Sequence, residues 1–153
     1  MAKMRHSIIR FRTGEPDYSA LPEQIFDWEY LVYGEVKELV PTDAPKPLSK
    51  LVVLTHYVDA NLYHDMITGR SVTGVLHFLN KTPLEWYAKK QATVETATYG
   101  SEFVASRTCI DQLVDIRIAL RYLGVPTCFK SYMFGDNESV VNSFSRPHSR
   151  LHK

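Results

Sequence analysis

Apolar and polar positions divide the chain near residue 50. From Lys50 to Ala60 the residues are rich in Leu, Val and Tyr, the composition of a largely buried strand. Gly69 marks a turn, and Ser71 to Leu79 reads as a second strand. Asn80-Lys81-Thr82-Pro83 forms a hairpin connection into a third strand, Leu84 to Ala88. Three strands joined by short loops are expected to be antiparallel. The period then changes. Between Thr98 and Leu123, the residues Phe103, Ile110, Leu113, Val114, Arg117, Leu120 and Leu123 fall mainly at three- and four-residue spacings, which predicts one helix face. Gly124 is a C-terminal cap residue, and Pro126 prevents the helix from resuming. Thr127 to Gly135 reads as a fourth strand and Ser139 to Phe144 as a short second helix. A strand that follows a crossover helix tends to lie parallel to the strand it joins. The class is therefore α/β (α+β): a mixed sheet of three antiparallel strands, a long helix, a parallel fourth strand and a short helix. Trp86 and Phe78 are assigned to the core.

Residues 1–49 follow different rules. Pro16, Pro22, Pro41, Pro45 and Pro47 block long helices and remove ladder donors. This part reads as an irregular connector with room for one hairpin, Phe26 to Tyr33 turning at Gly34 into Glu35 to Val40. The organisation is a connector over 1–49 and one domain over 50–153.

The chain of 153 residues suits one domain with a proper core. Its formal net charge of +1 gives no vote for a polyanionic partner. Basic residues cluster at Lys89-Lys90 and at Arg146, His148, Arg150, His152 and Lys153, where a solvated face is the bland explanation. No signal peptide is visible near Met1, and runs such as Leu51 to Leu54 are far too short to cross a bilayer. With two cysteines there is no disulfide framework, so the expectation is an intracellular protein, cytoplasmic or nuclear, with no membrane partner. Cys109 and Cys128 read as core residues, and His56 and His77 as a partnered pair facing each other across two strands.

Three acidic residues stand out by position. Asp59 sits near the end of the first strand, Glu102 in the first turns of the long helix, and Asp136 just after the fourth strand. If strands one and four are adjacent and parallel, both aspartates lie near carboxyl ends, where open α/β sheets place ligand sites. Converging carboxylates resist ionisation without a compensating charge. Hard divalent cations supply it, and two of them roughly 4 Å apart can clamp the attacking water and the leaving oxygen of a phosphodiester. Most of the 17 acidic residues are surface charges on the bland reading, with Asp65, Glu95, Asp111, Asp115 and Glu138 close by. His64, next to Asp65, is a candidate proton carrier.

Ordered short motifs then add a resemblance. Tyr57-Val58-Asp59-Ala60, Asp65 and Thr68-Gly69-Arg70-Ser71-Val72-Thr73-Gly74 resemble the start of copia-type retrotransposon ribonuclease H domains. Trp86-Tyr87-Ala88-Lys89-Lys90-Gln91 resembles that family's Trp and Lys-Lys-Gln signature. Thr93-Val94 and Ser101-Glu102-Phe103-Val104-Ala105 resemble its helix-glutamate segment. Gly135-Asp136-Asn137-Glu138-Ser139 and His148-Ser149-Arg150 resemble its closing elements. The match spans roughly residues 51–150.

The resemblance implies a ribonuclease H-like fold and Mg²⁺ (or Mn²⁺)-dependent cleavage of the RNA strand of an RNA/DNA hybrid, beside the reverse transcriptase portion of a parent polyprotein. It implies that Asp59 bridges two ions, with Glu102 holding one and Asp136 the other. Lys89, Lys90, Ser71 and Asn137 become candidate nucleic-acid contacts, giving affinity without sequence choice. Two departures accompany it. Gly100 stands where the family carries a second acidic residue, and a fourth acidic ligand would fall beyond Lys153. A C-terminally truncated domain is the corresponding expectation, and a catalytically silent retroelement fragment is the alternative. An integrase-type nuclease fits less well, because its acidic order is Asp, Asp, Glu.

Overall fold

The computed structural model describes residues 14–22, 34, 40–48 and 50–146. The hairpin expected at 26–40 and the basic tail from 147 lie essentially outside them. Within residues 14–22 and 40–48 there is neither helix nor strand, in keeping with their prolines. Tyr18 packs on the sheet, its ring 4.4 Å from that of Tyr132 and its hydroxyl 2.6 Å from Thr55 Oγ1.

Six elements build the rest: β1 (Leu54–Asp65), β2 (Arg70–Leu79), β3 (Thr82–Lys90), α1 (Thr98–Tyr122), β4 (Tyr132–Phe134) and α2 (Glu138–Ser145). The strands form one sheet in the order β3-β2-β1-β4. β1, β2 and β3 are antiparallel neighbours, whereas β4 runs parallel to β1. This is the ribonuclease H-like layout that the patterning and the resemblance anticipate.

Local chemistry explains the boundaries. Asp65 closes the β1–β2 turn, its carboxylate accepting from Ile67 N, Thr68 N and the Thr68 hydroxyl, and Gly69 takes φ 68°. Asn80, at φ 54°, makes the tight β2–β3 turn. Pro83 is tolerated because β3 is an edge strand. α1 ends in a Schellman motif, with Val125 N donating to Leu120 O, Gly124 N to Arg121 O, and Gly124 at φ 72°.

Several expectations need correction. The first strand was expected at 50–60 but runs from Leu54 to Asp65, because Asn61 and Asp65 continue the pairing with Val72 and Arg70 of β2. The fourth strand was expected at 127–135. Only Tyr132–Phe134 forms a ladder, preceded by a single bridge between Val52 and Thr127. Between these points the chain bulges, and Arg117 Nη1 holds the bulge by donating to Cys128 O and Ser131 Oγ.

The helix face was assigned only in part: of the expected residues, Arg117 and Leu120 are buried. α1 buries Ser101, Glu102, Ala105, Ser106, Cys109, Arg117 and Leu120, while Val114 and Leu123 are exposed. The buried residues of the first half are mostly small, which lets the helix approach the sheet closely. Val58, Ala60 and Val75 of the sheet pack there against Ala105 and Cys109. Phe103 instead stacks on Phe144 of α2, ring centroids 5.0 Å apart. Trp86 is 77% exposed, not core, because it lies on the sheet face away from α1; Phe78, on that face too, is half-buried.

Candidate metal centre

The parallel pairing of β1 and β4 stops at Tyr57 and Phe134. Two residues further along each chain come Asp59 and Asp136. Asp59 lies mid-strand in β1, a correction to its expected place near a strand end; the strand that ends there is β4. Loss of the neighbouring strand leaves an open notch beside Asp59. The second turn of α1 brings Glu102 over the notch, and one carboxylate oxygen from each of Asp59, Glu102 and Asp136 lies within 4.8 Å of the others. Asp59 and Asp136 are exposed, whereas Glu102 is buried.

Glu102 is held in place by Ala60, whose N–H donates to its Oε1 at 3.2 Å. Its acid constant is pushed up to about 7. Burial is the main cause; the Ala60 bond opposes it, and the charges of Asp59 and Asp136 add to it. Three hard oxygen donors with one carboxylate reluctant to ionise suit a divalent cation, and Mg²⁺ accepts such a set together with retained waters. Below the carboxylates a small cleft is lined by Val58, Glu102, Ser106, Met133, Gly135 and Asn137, among others. A larger cleft of about 630 Å³ surrounds the far end of α1, and among the described residues no carboxylate lines it.

The remaining candidates divide. Lys89 and Lys90 are exposed at the end of β3. Asp59, Gly74 and Ala88 stand in register across three strands, so the lysines lie level with the carboxylates two strands away. Lys90 is ion-paired with Asp65, whose carboxyl this pairing and the Thr68 hydroxyl hold far below the usual range. Asn137 caps α2, its Oδ1 accepting from Val140 N. Ser71 is fully buried on the helix-facing side of β2, so its expected contact with nucleic acid is withdrawn. His64 is exposed and accepts from Asn61. A Cβ at Gly100 would fall 2.5 Å from Glu95 Oε2, so the Glu95 carboxylate occupies the space of the side chain that Gly100 lacks.

Gln91 was part of a quoted motif but received no role. It is buried and ties the end of β3 to the start of α1. Its N–H donates to Ser71 O, and its Nε2 donates to Thr73 Oγ1 at 3.0 Å and to Ser101 O at 2.8 Å. Ser101 precedes Glu102, so Gln91 positions the helix turn that carries the glutamate. Its place in the Lys-Lys-Gln motif was the only signal.

In comparisons with known proteins, the chain matches no family model, no curated protein and no solved structure. Among the described residues, no helix is long and apolar enough to cross a membrane.

Proposed function

We propose that this chain is a ribonuclease H-type endonuclease that hydrolyses the RNA strand of RNA/DNA hybrids, as part of a retrotransposon reverse transcriptase. The observation that carries the reading is the convergence of Asp59, Glu102 and Asp136 at the notch where β4 ends beside β1. Divalent ions held there would offset the carboxylate charge and polarise the water and the phosphodiester. Asp59 would hold both ions, Glu102 one and Asp136 the other.

The chain's own contribution is positional. Burial and the Ala60 N–H fix Glu102 in one orientation, while the two exposed aspartates leave room for a backbone phosphate. Lys89 would meet a second phosphate of the hybrid across the face of the sheet, a contact that adds affinity and salt dependence. A dimension of selectivity comes from duplex shape and the 2′-hydroxyl.

The test is cleavage of a labelled RNA/DNA hybrid by the purified chain with Mg²⁺, beside Asp59→Asn. RNA-strand cleavage that falls at least about a thousandfold in the variant supports the reading, since several kcal/mol of transition-state stabilisation rest on the ions. A folded protein that neither cleaves the hybrid nor binds Mg²⁺ overturns it. Hybrid binding without cleavage would favour a catalytically silent retroelement fragment.

A further inference from the structure

A second group of ligating side chains lies on the helix-facing side of the sheet. His56 of β1 and His77 of β2 are register partners, and both are fully buried. Cys109 of α1 is fully buried above them. One ring nitrogen of each histidine and the Cys109 Sγ lie within 4.8 Å of one another.

The hydrogen bonds determine the tautomers. Gln112 Oε1 lies 3.1 Å from His77 Nε2 and can only accept, so His77 carries its proton on Nε2. His77 Nδ1 is then an acceptor, and His56 Nδ1, 2.6 Å away, donates to it. That leaves His56 Nε2 as a bare lone pair, buried with no partner.

We propose that His56, His77 and Cys109 form a three-coordinate site for a soft monovalent metal ion, Cu⁺. The donor set, two imidazoles and a thiolate, is what a soft ion selects. Donor atoms around one ion stand about 3.5–3.8 Å apart for bonds of roughly 2.0–2.3 Å. The three donors need shifts of about 1 Å to reach that spacing, with the ion taking the place of the proton between the rings. The protons balance: Cys109 releases its thiol proton, and His56 carries its single proton on Nε2 in place of Nδ1.

Charge selects the valence. Burial first, then His77 and the Arg117 guanidinium close by, lower the His56 pKa to about 4. An imidazole that binds the ion through one nitrogen and keeps its proton on the other is a neutral ligand, which makes both rings neutral in the site. One thiolate neutralises one positive charge, so Cu⁺ leaves the buried site uncharged, whereas a divalent ion leaves a net cation beside Arg117. Burial alone pushes the Cys109 thiol up to about 12, so the thiolate forms only with a metal. The ion would staple β1, β2 and α1 two helical turns from Glu102, separate from the carboxylate notch and with no part in its chemistry.

The test is anaerobic titration of the full chain with Cu⁺ supplied as its coloured bicinchoninate complex. The expected result is removal of one equivalent, at least tenfold weaker uptake by Cys109→Ser or Cys109→Ala, and unchanged uptake by Cys128→Ser. X-ray absorption at the copper edge should read one sulfur and two nitrogens in the unmutated protein, whichever variants fold. Uptake by folded wild type no tighter than by a folded Cys109 variant, or loss of uptake in Cys128→Ser, overturns the site. So does an absorption spectrum without two nitrogens and one sulfur. Binding of Zn²⁺ through Cys109 with no uptake of Cu⁺ overturns the charge argument.

Discussion

Replacing Glu102 by Gln should stabilise the metal-free protein at alkaline pH and leave it unchanged in acid. Glu102 is 4% exposed, and its acid constant moves from 4.5 to about 7 on folding. Between those values the folded state binds the proton that the unfolded state has released, so stability falls as pH rises and the full cost is reached above pH 7. The shift corresponds to roughly 3 kcal/mol at about 1.36 kcal/mol per pH unit. The neighbouring Asp59 and Asp136 are exposed, and solvent screening at that edge reduces the expected cost to about 1–2 kcal/mol. The amide oxygen of Gln can still accept from Ala60 N–H, so the substitution removes the charge and keeps the bond. Urea denaturation followed by circular dichroism, in EDTA at pH 4 and pH 8, measures the difference. Glu102→Gln should be more stable by about 1–2 kcal/mol at pH 8, or roughly 2–8 °C in Tm, and equal to wild type at pH 4. Millimolar Mg²⁺ should close the gap by stabilising wild type alone. A variant no more stable than wild type at pH 8, or one whose advantage persists unchanged at pH 4, would refute the account of how Glu102 is buried.

Other substitutions probe the frame and the surface. Gln91→Leu removes two buried donations and should lower stability by about 1–3 kcal/mol in the same urea assay; a loss under about 0.5 kcal/mol would contradict its role in docking α1. Trp86→Ala, on the open sheet face, should change stability by no more than about 0.5 kcal/mol, whereas a loss typical of a core tryptophan, about 3–5 kcal/mol, would show that this face is covered. On the proposed function, Lys89→Ala should weaken hybrid binding, lower the slope of log affinity against log salt by about one, and leave Tm unchanged; an unaltered slope would remove the phosphate contact.

Much of the frame was readable from local patterns. The change from short-loop strands to a long helical period, with Gly124 and Pro126 ending it, marks the order of elements and the hairpin connections. These signals act within a few residues, through backbone φ preference and caps, so they survive without tertiary context. The three carboxylates were legible in the same way, because each sits at an element boundary or among residues of another character.

What the local patterns could not supply is which face each element turns inward. The large apolar residues of α1 suggested one stripe, but close docking onto the sheet selected the small residues Ala105, Ser106 and Cys109 instead. Trp86 looked like core because of its size, yet exposure follows from which side of the sheet the helix covers. Asp59 was expected near a strand end but lies mid-strand: its notch exists because β4 stops, a fact of strand pairing that no residue in β1 encodes. Gln91 and Ser71 follow the same rule, whereas the His56–His77 pair across β1 and β2 was expected and is present. Sequence alone determined which residue types are available as ligands and in what order the elements follow, because those properties are local. Only the tertiary structure decided which of those residues meet, because burial and register depend on partners distant in the chain.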